Sequence, residues 1–414
     1  MKIERIGVAG AGTMGAGIAQ LAALGRFETL LHDPDGEALA EGEERLRAAL
    51  VKGTDRNRWS SEEAEAASAR LRAAPALEDL AGCEMVIEAV PEELELKREV
   101  FDRLAAICGP ETILATNTSS LSVTAIAAPV ERPGRVCGMH FFNPPALMRL
   151  VEVVAGEETS APVADDVASV AERMGRTPVR AADEIGFIAN RCVRPFSLEG
   201  LQILGGRIAT AEQIDAVARI GGGFRMGPFE LMDLVGIDVN FEIAKSFWER
   251  SFHETRWQPH PIQAKMVAAG RLGRKTGRGY YDYSGGPHRP EDPEQSDPPA
   301  ANVTEWDGDG SIDLPRQTQS EVLLRIVCQL VNEAHFALGQ GIGSREDIDT
   351  AMRLGFNWPR GPLAWADAIG PDRVLAVLDG LRAELGEERY RAAPLLRRVA
   401  AGRGTDPPPP GTSR

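Results

Sequence analysis

The sequence predicts an α/β domain of mostly parallel strands followed by two all-helical domains. Three observations carry this. A strand, a glycine loop and a helix follow one another over residues 3–24, alternation of strands and helices gives way to helix alone near residue 184, and the helical part repeats itself at an offset of 134. At 414 residues the chain exceeds one ordinary domain.

Ile3-Glu4-Arg5-Ile6-Gly7-Val8-Ala9 has the apolar content of a buried strand, and Gly10-Ala11-Gly12-Thr13-Met14-Gly15 follows at once. A small-residue helix from Met14 to Leu24 ends at Gly25. In that context the first glycine makes the tight turn, the second admits a pyrophosphate to the backbone, and the third lets helix pack on strand. Glu28–His32 reads as a second strand with Asp33 at its end, where a carboxylate accepts the adenosine ribose hydroxyls and repels a 2′-phosphate. The cofactor expected is therefore NAD rather than NADP, in a Rossmann-type domain.

Residues 37–73, rich in Glu, Arg and Ala, predict helix, with Lys52 on a face that reads as solvated. Met85–Val90 is the next buried strand, and Glu92–Ile107 a helix carrying Lys97 near its start. Thr112–Ala115 is another strand, ending in Thr116-Asn117-Thr118-Ser119-Ser120. Hydroxyls and an amide at a strand's carboxyl end lie where a doubly wound sheet holds ligands; capping of a short helix from Ser122 accounts for Ser120 and Ser122 but less well for Asn117 and Ser119.

Arg135–Met139 predicts a short buried strand delivering His140 to its end. Asn143-Pro144-Pro145 then interrupts regular structure, since proline lacks the N–H and restricts the residue before it. Leu150–Val154 returns as a strand bearing one carboxylate, Glu152. The two side chains can meet as a dyad in which the carboxylate sets the imidazole tautomer, an arrangement suited to proton transfer. Taken locally, the same pattern also fits a histidine bonded to a backbone carbonyl beside a solvated glutamate.

From Gly186 to about Tyr283 the apolar residues recur at helical spacing. Residues 284–320 are rich in Pro, Gly, Asp and Ser and predict a linker; helical periodicity resumes at Glu321, and a Pro/Gly tail from 404 to 414 is expected to be disordered. The second helical segment matches the first without gaps: Glu199 with Glu333, Ile214-Asp215 with Ile348-Asp349, Gly227-Pro228 with Gly361-Pro362, and Gly236 and Asp238 with Gly370 and Asp372. Asn190 corresponds to Leu324, so that amide belongs to the first copy alone.

With 46 Lys and Arg against 61 Asp and Glu, the formal charge is −15, which argues against nucleic acid as a partner. No uninterrupted apolar run approaches the roughly 20 residues that span a bilayer. The start, Met1-Lys2-Ile3-Glu4-Arg5, lacks a signal-peptide core, and the five cysteines (83, 108, 137, 192 and 328) show no CxxC spacing. A cytoplasmic protein without membrane partner, disulfide framework or metal site is expected.

Together these segments resemble the 3-hydroxyacyl-CoA dehydrogenase family. The motifs are GAGTMG (10–15), NTSS (117–120), HFFNPP (140–145) with its following glutamate, GFIANR (186–191) and GPFELMDLVGID (227–238). The resemblance implies a Rossmann NAD-binding domain at 1–183 and a 6-phosphogluconate-dehydrogenase-like helical domain at 184–283. A second helical copy would follow the linker at 321–403. It implies reversible NAD-dependent oxidation of an L-3-hydroxyacyl-CoA thioester in fatty-acid or aromatic-acid β-oxidation. By motif, the catalytic pair falls on His140 and Glu152, the hydroxyl-binding serine on Ser119, and active-site amides on Asn143 and Asn190. The cofactor would meet Gly10, Gly12, Thr13, Met14, Gly15, Asp33, Asn117, Ser119 and Asn143, with Glu92 and Lys97 near the nicotinamide ribose; Lys52 would stand in for a CoA-contacting lysine.

One departure is local. The family's Pro-Met-Gly-Pro reads Arg225-Met226-Gly227-Pro228, while Pro359 keeps the proline in the second copy. Single-copy relatives dimerise through this helical domain, so two copies in one chain imply either a monomer with an internal pseudo-dimer or a homodimer. Two other functions share parts of the pattern: a dehydrogenase of a free hydroxy acid such as L-gulonate, and a non-catalytic NAD-binding structural protein. A 6-phosphogluconate-type enzyme would need a lysine on the first long helix, and residues 187–204 contain none.

Overall fold

The computed structural model describes residues 2–289 and 303–403; the expected tail at 404–414 and residues 290–302 of the expected linker lie outside the described residues. The chain divides between Phe187 and Ile188 into two compact units.

The N-terminal unit is built on one eight-stranded sheet: β1 (Arg5–Ala9), β2 (Glu28–His32), β3 (Leu71–Ala74), β4 (Met85–Glu88), β5 (Ile113–Thr116), β6 (Val136–Phe141), β7 (Leu150–Ala155) and β8 (Thr177–Ala182). Their spatial order is β3-β2-β1-β4-β5-β6-β7-β8. Every neighbouring pair is parallel except β6 with β7. Ile6, Val8, Met85, Ile87, Ile113, Leu114 and Met139 are fully buried, the continuous apolar character of strands covered on both faces. The chain winds outward in opposite directions from β1 and β4. That switch point opens a crevice at the carboxyl ends of the strands, where ligands bind in such sheets.

Helices Thr13–Leu24, Gly36–Asp55, Ser61–Arg70, Leu94–Ile107 and Ala161–Arg173 cover the sheet. Residues 37–73, expected to be helical, thus form two helices and the start of an edge strand. Ser60 restarts the helix through a reciprocal capping box with Glu63. Leu71-Arg72-Ala73-Ala74 becomes β3 because its backbone pairs with β2, although its side chains have no strand preference.

In the second unit the repeat is reproduced element by element. Helices Ala211–Ile220, Pro228–Val235 and Ile237–Arg250 have counterparts at Arg345–Gly355, Pro362–Ile369 and Pro371–Leu385. Asp215 accepts the N–H groups of Phe229 and Glu230, and Asp349 those of Leu363 and Ala364. Each aspartate pins the start of the next helix, and a Cβ on Gly227 or Gly361 would collide with it. Across the copies the contacts are reciprocal. Arg191 reaches Glu333 at 2.7 Å, and its counterpart Arg325 pairs with Glu199. Arg256 joins Glu333, and Tyr390, at the equivalent place, donates to Glu199.

The second copy's first helix starts at Arg316 rather than 321, and the stretch before it is packed. Gln319, fully buried, donates its amide to the carbonyl oxygens of Asp309 and Leu314 and accepts from the Asp309 N–H. Among the described residues, helix Arg316–Gly339 is long and apolar enough to cross a membrane. It forms the buried centre of its unit, where Val327, Leu330, Val331 and Ala334 are inaccessible.

Candidate active site

Apart from Lys52, the residues singled out in the N-terminal unit gather near the carboxyl ends of the strands. After β1, Gly10 adopts φ +111°, and a Cβ there would lie 2.6 Å from the carbonyl oxygen of Ala89. On Gly15 it would lie 1.7 Å from the carbonyl oxygen of Gly10, so loop and helix touch backbone to backbone. Gly12 is different, because nothing lies within 4 Å of a Cβ built on it. This open face at the N-terminus of helix Thr13–Leu24, which begins with Thr13 and Met14, is where a dinucleotide's pyrophosphate fits. Asp33, at the end of β2, accepts from the Ala11 N–H at 2.9 Å and from the Asp35 N–H at 3.0 Å. It is partly exposed beside the loop, as a ribose-binding carboxylate has to be. These residues fit NAD, although no ligand enters the geometry.

β6 carries His140 and β7 carries Glu152, directly opposite one another in the antiparallel register. The pairing follows from the turn at 142–149, which reverses the chain so that facing residues share one side of the sheet. Nδ1 of His140 lies 2.7 Å from Oε2 of Glu152. The imidazole is 5% exposed and the carboxylate fully buried, so the pair sits where electrostatic interactions are strong. With Nδ1 engaged, Nε2 is the nitrogen left to exchange a proton. The ring packs against Phe142 at 4.6 Å and Phe187 at 6.0 Å between centroids.

Asn117, one residue past β5, accepts the Phe141 N–H on its side-chain oxygen at 2.9 Å and so ties the β5 end to the β6 end. Asn143, exposed, opens the turn after His140. Ser119 is organised by Glu92. Oε1 of Glu92 accepts from the Thr118 hydroxyl at 2.7 Å, the Ser119 N–H at 2.8 Å and hydroxyl at 3.2 Å, and the Ser120 N–H at 2.9 Å. Burial alone would raise the Glu92 carboxyl, but Lys97 and these donors outweigh it and hold it below the ordinary glutamate range.

Lys97, expected near the nicotinamide ribose, is held between two carboxylates. Its ammonium is 1% exposed, 2.6 Å from Glu88 and 3.3 Å from Glu92. Glu88 in turn accepts from the Thr116 hydroxyl and the Val90 N–H, both at 2.7 Å. Lys97 therefore bridges the end of β4 to the carboxylate that holds the serine loop. Glu88 went unassigned in the sequence, yet a carboxylate closing the apolar run Met85-Val86-Ile87 was the available signal. Lys52 is exposed in the last turn of helix Gly36–Asp55. Asn190 belongs to the helical unit, in helix Ala189–Cys192, and its carbonyl accepts from Nε of Arg194.

A glycine loop with an open face that fits a pyrophosphate, a partly exposed carboxylate beside it and a buried histidine–carboxylate pair on the same sheet are the marks of an NAD-dependent oxidoreductase. The NAD-binding domain model of 3-hydroxyacyl-CoA dehydrogenases matches residues 5–184, and the model of their C-terminal domain matches twice, over 186–283 and 322–405. The chain belongs to the 3-hydroxyacyl-CoA dehydrogenase family. It is 37% identical to the 3-hydroxyadipyl-CoA dehydrogenase of Escherichia coli K12, over 97% of this chain and 98% of that one. A probable 3-hydroxybutyryl-CoA dehydrogenase of Bacillus subtilis is 41% identical over 68% of this chain and 98% of its own. Among solved structures, the 3-hydroxybutyryl-CoA dehydrogenase of Escherichia coli K12 superposes with a TM-score of 0.87 at 35% identity, covering 97% of this chain and 99% of that one.

Proposed function

We propose that the chain interconverts an L-3-hydroxyacyl-CoA and the 3-oxoacyl-CoA, with His140 as the base. NAD⁺, when bound, supplies the hydride acceptor. The observation that carries this reading is the buried His140–Glu152 contact of 2.7 Å. Nε2 of His140 takes the proton of the 3-hydroxyl as the C3–H electron pair leaves, and the carbonyl forms. Glu152 holds the Nδ1–H tautomer and stabilises the imidazolium. Ser119, fixed through Glu92, offers its hydroxyl to the substrate oxygen, while Asn143 and Asn190 supply amides to the thioester region. Lys52 would serve the CoA phosphates. Lys97 acts through Glu92 rather than on a ligand.

A thioester substrate with a carboxylate at its far end has support from the 3-hydroxyadipyl-CoA relative, which matches over nearly its whole length. The working assembly we infer is a monomer in the cytoplasm. The reciprocal pairs Arg191–Glu333 and Arg325–Glu199 support it, because contacts of this i-to-j and j-to-i kind are those of a two-fold dimer interface.

The test is NADH oxidation with acetoacetyl-CoA, free acetoacetate and a sugar acid in parallel. Turnover of the thioester is expected. Turnover confined to the free acids would move the protein to a gulonate-type activity, and silence with all three despite NADH binding would overturn the catalytic reading.

A further inference from the structure

Where the corresponding loops of the two helical copies meet, the second unit holds a cavity of about 370 Å³. Phe224 and Trp358, equivalent residues of the two copies, both line it with their rings 5.6 Å apart and edge to face. Its charge is one-sided. Arg225, Arg274, His288 and Arg289 line it, and no carboxylate does so among the described residues. Behind it, buried Glu230 accepts from Nε of Arg289 at 2.6 Å and pairs with Nε2 of His288 at 2.9 Å. Arg225 and Arg274 are exposed and form no ion pair with a described residue; Arg274 lies over the Tyr283 ring.

The cavity has Arg225 on the first copy where the second has Pro359, and Arg274, His288 and Arg289 follow helix Pro261–Ala268. The result is a cationic cavity in a chain of formal charge −15. Its size and its combination of aromatic wall with a few convergent polar groups are those of a small-molecule site. Guanidinium groups match carboxylates with paired hydrogen bonds.

We propose that this cavity binds an organic anion: a carboxylate held by Arg225 and Arg274, on an apolar chain or ring lying against Phe224 and Trp358. The carboxylate belongs to a free organic acid.

The test uses the full chain. Adipate and phenylacetate are titrated calorimetrically and by tryptophan fluorescence into the wild type, Arg225→Gln and the double variant with Arg274→Gln. Both arginines are exposed, so the variants fold. Binding should weaken about tenfold in the single variant, the scale of losing a hydrogen bond to a charged group, and vanish in the double. Equal binding by wild type and double variant, or no binding by the wild type, overturns the proposal. Failure of acetoacetyl-CoA turnover in the wild type would count against the catalytic reading alone and leave the titrations to decide this one.

Discussion

Replacing Glu152 by glutamine isolates the electrostatic part of the dyad. The glutamine of E152Q keeps the size of the side chain and an oxygen that can accept from Nδ1–H, so the His140 tautomer and ring position survive. What disappears is the negative charge that faces the imidazolium as His140 takes the substrate proton. With charge centres about 4 Å apart and an effective dielectric of about 20, that interaction is worth about 4 kcal/mol. At 1.36 kcal/mol per factor of ten, kcat should fall by roughly a thousandfold. Some of that loss is recovered if water relaxes around the neutral pair, so the working expectation is a fall of about two to three orders of magnitude. The assay is steady-state reduction of NAD⁺ by L-3-hydroxybutyryl-CoA, with NADH affinity from fluorescence titration and a thermal melt as control for folding. NADH affinity should not change, because the proposed cofactor contacts, Asp33 and the loop at 10–15, are untouched. A folded E152Q with wild-type NADH affinity and kcat within fivefold of wild type would refute the argument, since the carboxylate would then be orienting the ring and nothing more.

The glycine loop predicts opposite outcomes for neighbouring positions. G12V should fold normally, since nothing meets its Cβ, yet lose most NADH affinity, whereas G15A should lower the melting temperature because its Cβ would overlap the Gly10 carbonyl oxygen. E333A leaves Arg191 and Arg256 buried without their shared carboxylate, which should cost about 3–5 kcal/mol in denaturant unfolding; a loss under 1 kcal/mol would show the pairing to be incidental. The five cysteines are buried and free, and burial pushes the thiols of Cys83, Cys137 and Cys328 up to about 12. A disulfide reagent should therefore label none in the native protein and all five after unfolding. Because these thiols stay protonated in the folded state, their contribution to stability is complete below the unfolded thiol value of 9.0 and declines as pH rises from there toward 12; unfolding midpoints measured across that range check the sign.

Local patterns were legible wherever sequence neighbours are also spatial neighbours. The loop at 10–15 lies between the strand and helix that give it meaning, and the facing of His140 and Glu152 follows from two apolar strands separated by a proline turn. The helical repeat could be read because no insertion shifts its register through the Gly-Pro and Gly-x-Asp positions. What stayed hidden depends on distant partners. Leu71–Ala74 extends only because β2 offers it a free edge. Lys97 is placed by resemblance near the nicotinamide ribose, and its burial is decided by Glu88 on another element. Gln319 gives no sign in the sequence that it satisfies the backbone of the segment before it.

The hidden contacts share a logic that bears on how the site is kept in shape. Ser119 stands on a short loop with no regular hydrogen bonding of its own, and such a loop is mobile unless its N–H groups find acceptors. Glu92 provides one, and Lys97 keeps that carboxylate charged while anchoring it to Glu88 at the end of β4. A lysine is costly to bury unless it is paired, and here two carboxylates and the carbonyl oxygen of Val90 surround it. The ammonium therefore holds the serine loop to the central sheet. Arginine would not serve equally well in this place, because its planar fork needs more room than the compact ammonium occupies between β4 and the loop.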